Sequence, residues 1–263
     1  MHSIEQAIVG AFRPIRVRGK GRLLSSLLPH IGDRQANVFG CSMNLDLSDW
    51  IQRNIYFGTY EREETEIVKR YLRSGMTFVD VGANVGYYTV LAASLVGSTG
   101  HVFAFEPSPY AFQRLSQMAE RNKLLQVRCF RAGLGEKTGE CSLYLGPGNN
   151  HSPTMIEHAG LSPMAEAEVL TLDEWVNDWK VSRIDVLKLD IEGWESKLLR
   201  GAARLLADRR INSVLCEFNE YWLKEAGSSP KELLAILNEA GFVDSGSKRA
   251  LGTLETRFFV LDG

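Results

Sequence analysis

The sequence predicts an α/β protein, a mostly parallel sheet with helices on both faces, on three observations. From about Met76 onward, short β-rich runs alternate with helical ones, the pattern that crossover connections impose on parallel strands. The first of these runs ends in a turn carrying Gly82 and Gly86, after which a helix begins. Near the C-terminus two more runs, 242–244 and 256–261, flank a Gly/Ser/Lys/Arg turn and read as a terminal antiparallel pair.

Taken in order, residues 1–75 precede this domain and read as a cap on its substrate side, while 76–263 form the main domain. Within the cap, 42–47 alternates like an edge strand and 64–72 is helical. The main-domain strands are expected at 77–81, 101–105, 126–131, 185–189 and 213–218. Helices fit between them at 87–95, 109–122 and 194–206, with another at 230–240 that Gly241 stops. Residues 140–145 read as a short strand. The polar stretch 146–161, GPGNNHSPTMIEHAGL, is long for a connection inside one domain, and such loops are often functional.

Composition narrows the function classes. A chain of 263 residues, 44% apolar and 24% charged, has the make-up of a globular domain able to bury a substantial core. Its net charge of −2 gives no field argument for nucleic acid, so no nucleic-acid partner is expected. Cys41, Cys129, Cys141 and Cys216 form no CxxC pair, which argues against zinc and a disulfide framework and fits a reducing, cytoplasmic compartment. No apolar run approaches the roughly 20 residues that span a bilayer. The basic start, with Arg13, Arg16, Arg18, Lys20 and Arg22, lacks the compact apolar run of a secretory signal. Pro14, Gly19 and Gly21 would interrupt the helix of a transit peptide, so this stretch reads as a basic surface segment.

The sharpest motif is FVDVGANVGYYT at 78–89. An apolar strand runs into a glycine turn and then a helix, so the main chain can approach a ligand and the helix start offers free N–H groups. Asp80 falls near the strand's end, where ligands bind in open α/β sheets. The spacing G-x-x-x-G differs from the G-x-G-x-x-G that cradles a dinucleotide pyrophosphate. A sulfonium ligand carries no phosphate, and an acid near the turn suits its amino group. Glu106, closing the next strand in FAFEP, is placed to accept hydrogen bonds from two ribose hydroxyls. A glycine turn beside an unrelated surface acid is the bland alternative.

FVDVGANVGYYT, FAFEPSPYAFQRL and IDVLKLDIEGWESKLLRGA together resemble the FkbM-type methyltransferases, a branch of the class I S-adenosylmethionine-dependent enzymes. IYFGTYEREE, TLDEW and CEFNEYW extend the resemblance over about residues 40–238. It implies the Rossmann-like class I fold, seven-stranded with a reversed last strand, and methylation of hydroxyl groups on sugars or polyketide-type natural products. Carried over by position, Asp80, Gly82, Asn84, Gly86 and Glu106 would hold S-adenosylmethionine in a catalytic domain spanning 76–263. The stretch RAGLG at 131–135 departs from the class I pattern, offering no acid or amide for adenine. Tyr56 and Tyr60 match the family's pattern and could pack on a sugar face or serve the core.

Methyl transfer to an alcohol needs alignment and either a base or a metal that lowers the alcohol's pKa. In Lys188-Leu-Asp190-Ile-Glu192, three charged side chains would share one face if the strand continued. Asp190 is the expected base; the bland reading is a buried Lys188–Asp190 ion pair, with Glu195 simply in a helix's first turn. Glu217 and Asn219 lie on one face of the next strand, so Asp190, Glu217 and Asn219 form a candidate oxygen-ligand set for Mg²⁺. Glu217 could instead orient the acceptor, and Asn219 stabilise a turn. His151, in the polar loop, is a further candidate base or a solvated side chain. Trp175 and Trp179, spaced i, i+4, read as core. The expected function is O-methylation of a small hydroxylated acceptor. Methylation at nitrogen or on a macromolecule, a cofactor-binding module without catalysis, and a nicotinamide-dependent oxidoreductase are the rivals.

Overall fold

The β-rich runs pair as a seven-stranded sheet in the computed structural model, which describes residues 9, 10, 24, 31–145, 153–245 and 252–263. Five parallel strands make its body: β3 (Thr77–Val81), β4 (His101–Phe105), β5 (Val127–Phe130), β9 (Val186–Leu189) and β10 (Ser213–Asn219). The tail adds β11 (Phe242–Asp244) and β12 (Leu254–Leu261), giving the order β5-β4-β3-β9-β10-β12-β11. β12 pairs antiparallel with both β10 and β11, so it is the reversed strand that the motifs implied.

Helices cover both faces because side chains alternate along buried strands. Val79, Val81, Phe103 and Leu187 pack on one face against α5 (Leu172–Asp178), α6 (Glu195–Arg200), α7 (Ala203–Ala207) and α9 (Pro230–Glu239). Phe78, Val102 and Val186 pack on the other against α2 (Arg62–Tyr71) and α3 (Tyr87–Val96). α4 (Pro109–Arg121) starts where expected, at a Ser108 cap that accepts from the Ala111 N–H, with Pro109 in the first turn.

Ahead of the main sheet, β1 (Asp33–Val38) and β2 (Cys41–Asp46) form a hairpin, followed by α1 (Trp50–Phe57). The hairpin and α1 bury Met43, Leu45, Ile55 and Tyr56 in a cluster that reaches Ala83 and Val85 in the glycine turn. The cap therefore packs directly on that turn. A second sheet joins β6 (Ala132–Leu134), β7 (Gly139–Leu145) and β8 (Ser162–Leu170) in the order β6-β8-β7.

Three details depart from expectation. The helix predicted over 194–206 is two, α6 and α7, parted at Gly201, where a Cβ would sit 1.9 Å from the Gly135 carbonyl oxygen. Trp175 is buried against Phe103, Phe105 and Phe130, but Trp179, at the end of α5, is 47% exposed. β8 is a strand beyond those expected, although Ala165, Ala167 and Val169 alternate with Glu166 and Glu168 as in a strand with one covered face. α8 (Glu220–Glu225) follows β10.

Candidate functional site

A cleft open at its mouth lies at the C-terminal tips of β3, β4 and β9. Gly82, Ala83, Asn84 and Val85 form one wall with Glu106, and Lys188, Asp190 and Glu192 form another. Ile51, Ile55 and Tyr60 from the cap also line it, with Pro153 and Met155.

Main-chain geometry builds the first wall. The Gly82 and Ala83 N–H groups both donate to the Phe105 carbonyl oxygen at 3.0 Å, tying the turn to the tip of β4. Gly82 has φ +77°, and a Cβ there would stand 1.8 Å from the Asp190 carbonyl oxygen. Only glycine meets both demands. Asn84 also occupies the left-handed region, at φ 49°, where its side-chain oxygen accepts the Val85 N–H at 2.8 Å. Glu106, 7% exposed, accepts from the Asn84 N–H at 2.8 Å and from the Ser108 N–H at 2.9 Å, one bond to each carboxyl oxygen. Burial pushes this carboxyl up to about 7, although both N–H donors pull the other way. Each oxygen keeps a lone-pair direction for a ligand hydroxyl.

Asp80 is placed differently from Glu106. Alternation along β3 turns it to the α3 face, where Oδ2 accepts from the Thr89 hydroxyl at 2.7 Å. It is fully buried and absent from the cleft lining; its Oδ1 accepts no hydrogen bond and lies 3.8 Å from Lys188 Nζ. Gly86, at φ +94°, caps the start of α3 and likewise stands behind the lining.

Charged side chains build the second wall. β9 stops at Leu189, opposite Val81 in register, so Asp190 emerges beside the glycine turn. Lys188 Nζ donates to Asp190 Oδ2 at 3.1 Å and lies 5.0 Å from the centre of the Tyr88 ring. Burial alone would lower the Lys188 pKa, but Asp190, Asp80 and Glu61 together hold it above the ordinary lysine range. Beyond Asp190 the chain turns sharply. Glu192 has φ 51° and Gly193 φ 96°, and a Cβ on Gly193 would meet the Trp222 carbonyl oxygen at 2.4 Å. Glu195, buried at the start of α6, accepts the Ile191 and Gly193 N–H groups at 3.1 and 3.3 Å and so shapes this turn. Burial first, then Asp190 and other acids, pushes Glu192 up to about 8 and Glu217 up to about 9.

Of the candidate Mg²⁺ ligands, Asn219 already has a structural task. The Asn219 side-chain oxygen caps α8, accepting the Trp222 N–H. Among the described residues no three His, Cys, Asp or Glu side chains gather as a metal-binding group. Glu217 lies outside the cleft lining, and His151 lies outside the described residues. Tyr60 lines the cleft while Tyr56 is buried in the cap's core.

The site also contains residues that the motifs did not single out. Glu61, the residue preceding α2, accepts from the Tyr88 hydroxyl at 2.7 Å. Burial, then the nearby Asp190 charge, raises its pKa. The available signals were its place inside IYFGTYEREE and, for Ile51 and Ile55, a four-residue spacing on one helix face.

This geometry can be set beside known proteins. The Methyltransferase FkbM domain is matched over residues 80–243. The hexuronic acid methyltransferase AglP of Haloferax volcanii is 30% identical over 166 residues, covering 61% of each chain. The methyltransferase sdnD of Sordaria araneosa is 26% identical over 201 residues, 65% of this chain and 75% of its own. A solved FkbM methyltransferase from Methylobacillus flagellatus superposes with a TM-score of 0.46 at 17% identity, covering 81% of this chain and 55% of its own. The chain spans about three fifths of the length of the Haloferax relative. With the family's domain matched from Asp80 in the glycine-turn strand to Val243 in β11, the chain belongs to the FkbM methyltransferase family.

Proposed function

We propose that this chain is an S-adenosylmethionine-dependent O-methyltransferase acting on a hydroxyl of a small acceptor, a sugar or glycosylated natural product. One observation carries the reading: a single cleft holds both Glu106, with its two oxygens steadied by main-chain N–H groups, and Asp190, steadied by Lys188. When bound, S-adenosylmethionine supplies a methyl group on a sulfonium centre. Glu106 would accept its ribose hydroxyls, and the main chain from Gly82 to Val85 would lie along it. Asp80 contributes from beneath by holding Thr89 and facing Lys188, and Gly86 by starting α3.

Asp190 receives the acceptor hydroxyl's proton. Lys188 is kept protonated by its three acidic neighbours, so it positions Asp190 and takes no proton itself. Ile51, Ile55 and Tyr60 shield the cleft from water, which supports reading residues 1–75 as a cap on a catalytic domain at 76–263. The sugar class of the acceptor is supported by the Haloferax relative's name. A cytoplasmic setting is supported by four free cysteines. Among the described residues no helix is long and apolar enough to cross a membrane.

Transfer of a tritiated methyl group from S-adenosylmethionine to a panel of sugars tests the proposal. Transfer that requires Asp190 is expected. Cofactor binding without transfer to any hydroxyl compound would refute O-methylation.

A further inference from the structure

The cap segment IYFGTYEREE brings one aromatic ring to the cleft, and α3 brings two more. Tyr60, Tyr87 and Tyr88 all line it. Tyr60 and Tyr87 meet edge to face with ring centres 5.1 Å apart, and Tyr87 and Tyr88 do so at 5.3 Å. Their hydroxyls turn to the cap. Tyr88 donates to Glu61 at 2.7 Å, the Tyr87 hydroxyl lies 2.9 Å from that of Thr65, and the Tyr60 hydroxyl lies beside Glu61. Rings held by their polar ends in this way offer a ligand their carbon faces and edges. Burial first, then the Glu61 and Asp190 charges, raises the Tyr60 pKa well above the ordinary tyrosine range, so the ring stays neutral beside the expected base. One cation already uses the group, since Lys188 Nζ stands 5.0 Å from the centre of the Tyr88 ring. Tyr60 is half-buried, and its one ring contact among the described residues is with Tyr87.

The glycine turn and Glu106 suit the nucleoside of the cofactor, while Asp80, the acid near the turn, stands behind the lining. A sulfonium has no N–H or O–H to donate, so it is recognised by charge and by aromatic faces, whose quadrupole is negative. We propose that Tyr60, backed by Tyr87, is a seat for the sulfonium of S-adenosylmethionine, through which the chain distinguishes the charged methyl donor from S-adenosylhomocysteine, whose sulfur is neutral. This rests on the cofactor reading and adds a specificity residue from the cap. The seat acts on the ground state, because the sulfur loses its charge as the methyl leaves. It therefore tightens binding of the donor over the spent product and does not speed the transfer itself.

Calorimetry on the full chain tests it, with S-adenosylmethionine and S-adenosylhomocysteine as probes. In Tyr60→Leu the affinity for S-adenosylmethionine relative to S-adenosylhomocysteine should fall at least about threefold from the parent's ratio. Tyr60→Phe, which keeps the ring, should hold that ratio within about twofold. Phenylalanines of increasing fluorine content at position 60 keep the ring's bulk while draining its face of negative charge. Across that series S-adenosylmethionine should bind progressively more weakly and S-adenosylhomocysteine should not, a split that a purely structural role for Tyr60 would not give. Should Tyr60→Leu not fold, the fluorinated series decides alone. A ratio unmoved in folded Tyr60→Leu, a ratio in Tyr60→Phe as low as in Tyr60→Leu, or a flat fluorine series overturns the proposal. Failure of the parent chain to bind either probe refutes the cofactor reading, and this inference with it.

Discussion

The cleft's two walls are made of different material. At the tips of β3 and β4 the main chain does the holding: Gly82 and Ala83 bond Phe105, and Asn84 and Ser108 bond Glu106. At the tip of β9, side chains do it, with Lys188 set among Asp190, Asp80 and Glu61 while Glu192 and Glu217 both feel the Asp190 charge. Main-chain bonds between neighbouring strand tips leave little freedom and suit a ligand that never changes. A wall of charged side chains can be revised one residue at a time, which suits the variable part of a site.

The contrast can be broken most sharply where the walls touch. Gly82→Ala puts a methyl group into the Asp190 carbonyl oxygen at a positive φ. It should cost at least about 3 kcal/mol in urea unfolding and abolish cofactor binding. A cost under about 1 kcal/mol would show that the two walls do not meet as described. Asp190→Asn should separate the walls functionally. Turnover should fall about 100-fold or more while S-adenosylmethionine still binds, and undiminished turnover would remove Asp190 as the base.

The pH dependence of stability distinguishes the walls next. Glu106 and Glu195 stand at about 7, Glu192 at about 8 and Glu217 at about 9, all above the ordinary 4.5. The folded chain therefore binds more protons than the unfolded chain between these values. The resulting stability is complete below about 4.5 and is lost as pH rises through 7 to 9. Urea midpoints of the ligand-free chain should fall from pH 5 to pH 9, and less steeply in Glu217→Gln. A midpoint that rises over that range contradicts the charge assignment. The smallest effect belongs to the surface beside the second wall, where His158 Nε2 meets Glu225 at 3.4 Å and the Tyr221 hydroxyl at 3.3 Å. His158→Ala should change unfolding free energy by under about 1 kcal/mol.

The same division explains what could be read before folding. The strand bounds of β3 and β4, the reversed β12 and the Gly82–Glu106 wall were legible because local pattern dictates them: apolar runs, glycine where φ is positive, an acid closing a strand. The Lys188–Asp190 pair was legible too, from two charges on one strand face. Glu61 was not, because its contact with Tyr88 spans 27 positions and depends on how the cap lies over α3. The Mg²⁺ expectation finds no support at Asn219, for a local reason that pattern also contains: Asn219 stands at a helix start, where a cap competes for its side-chain oxygen. Asp80 shows the limit of motif transfer, since a one-residue alternation decides whether an acid near a strand's end meets the cleft or the helix behind it.

The most direct measurement is the affinity of S-adenosylmethionine for the parent chain and for Glu106→Gln by calorimetry. The account predicts binding by the parent and a loss of at least about tenfold in the variant, the scale of charged hydrogen bonds to two hydroxyls. Equal affinity in the two proteins, or no binding by the parent, would contradict it.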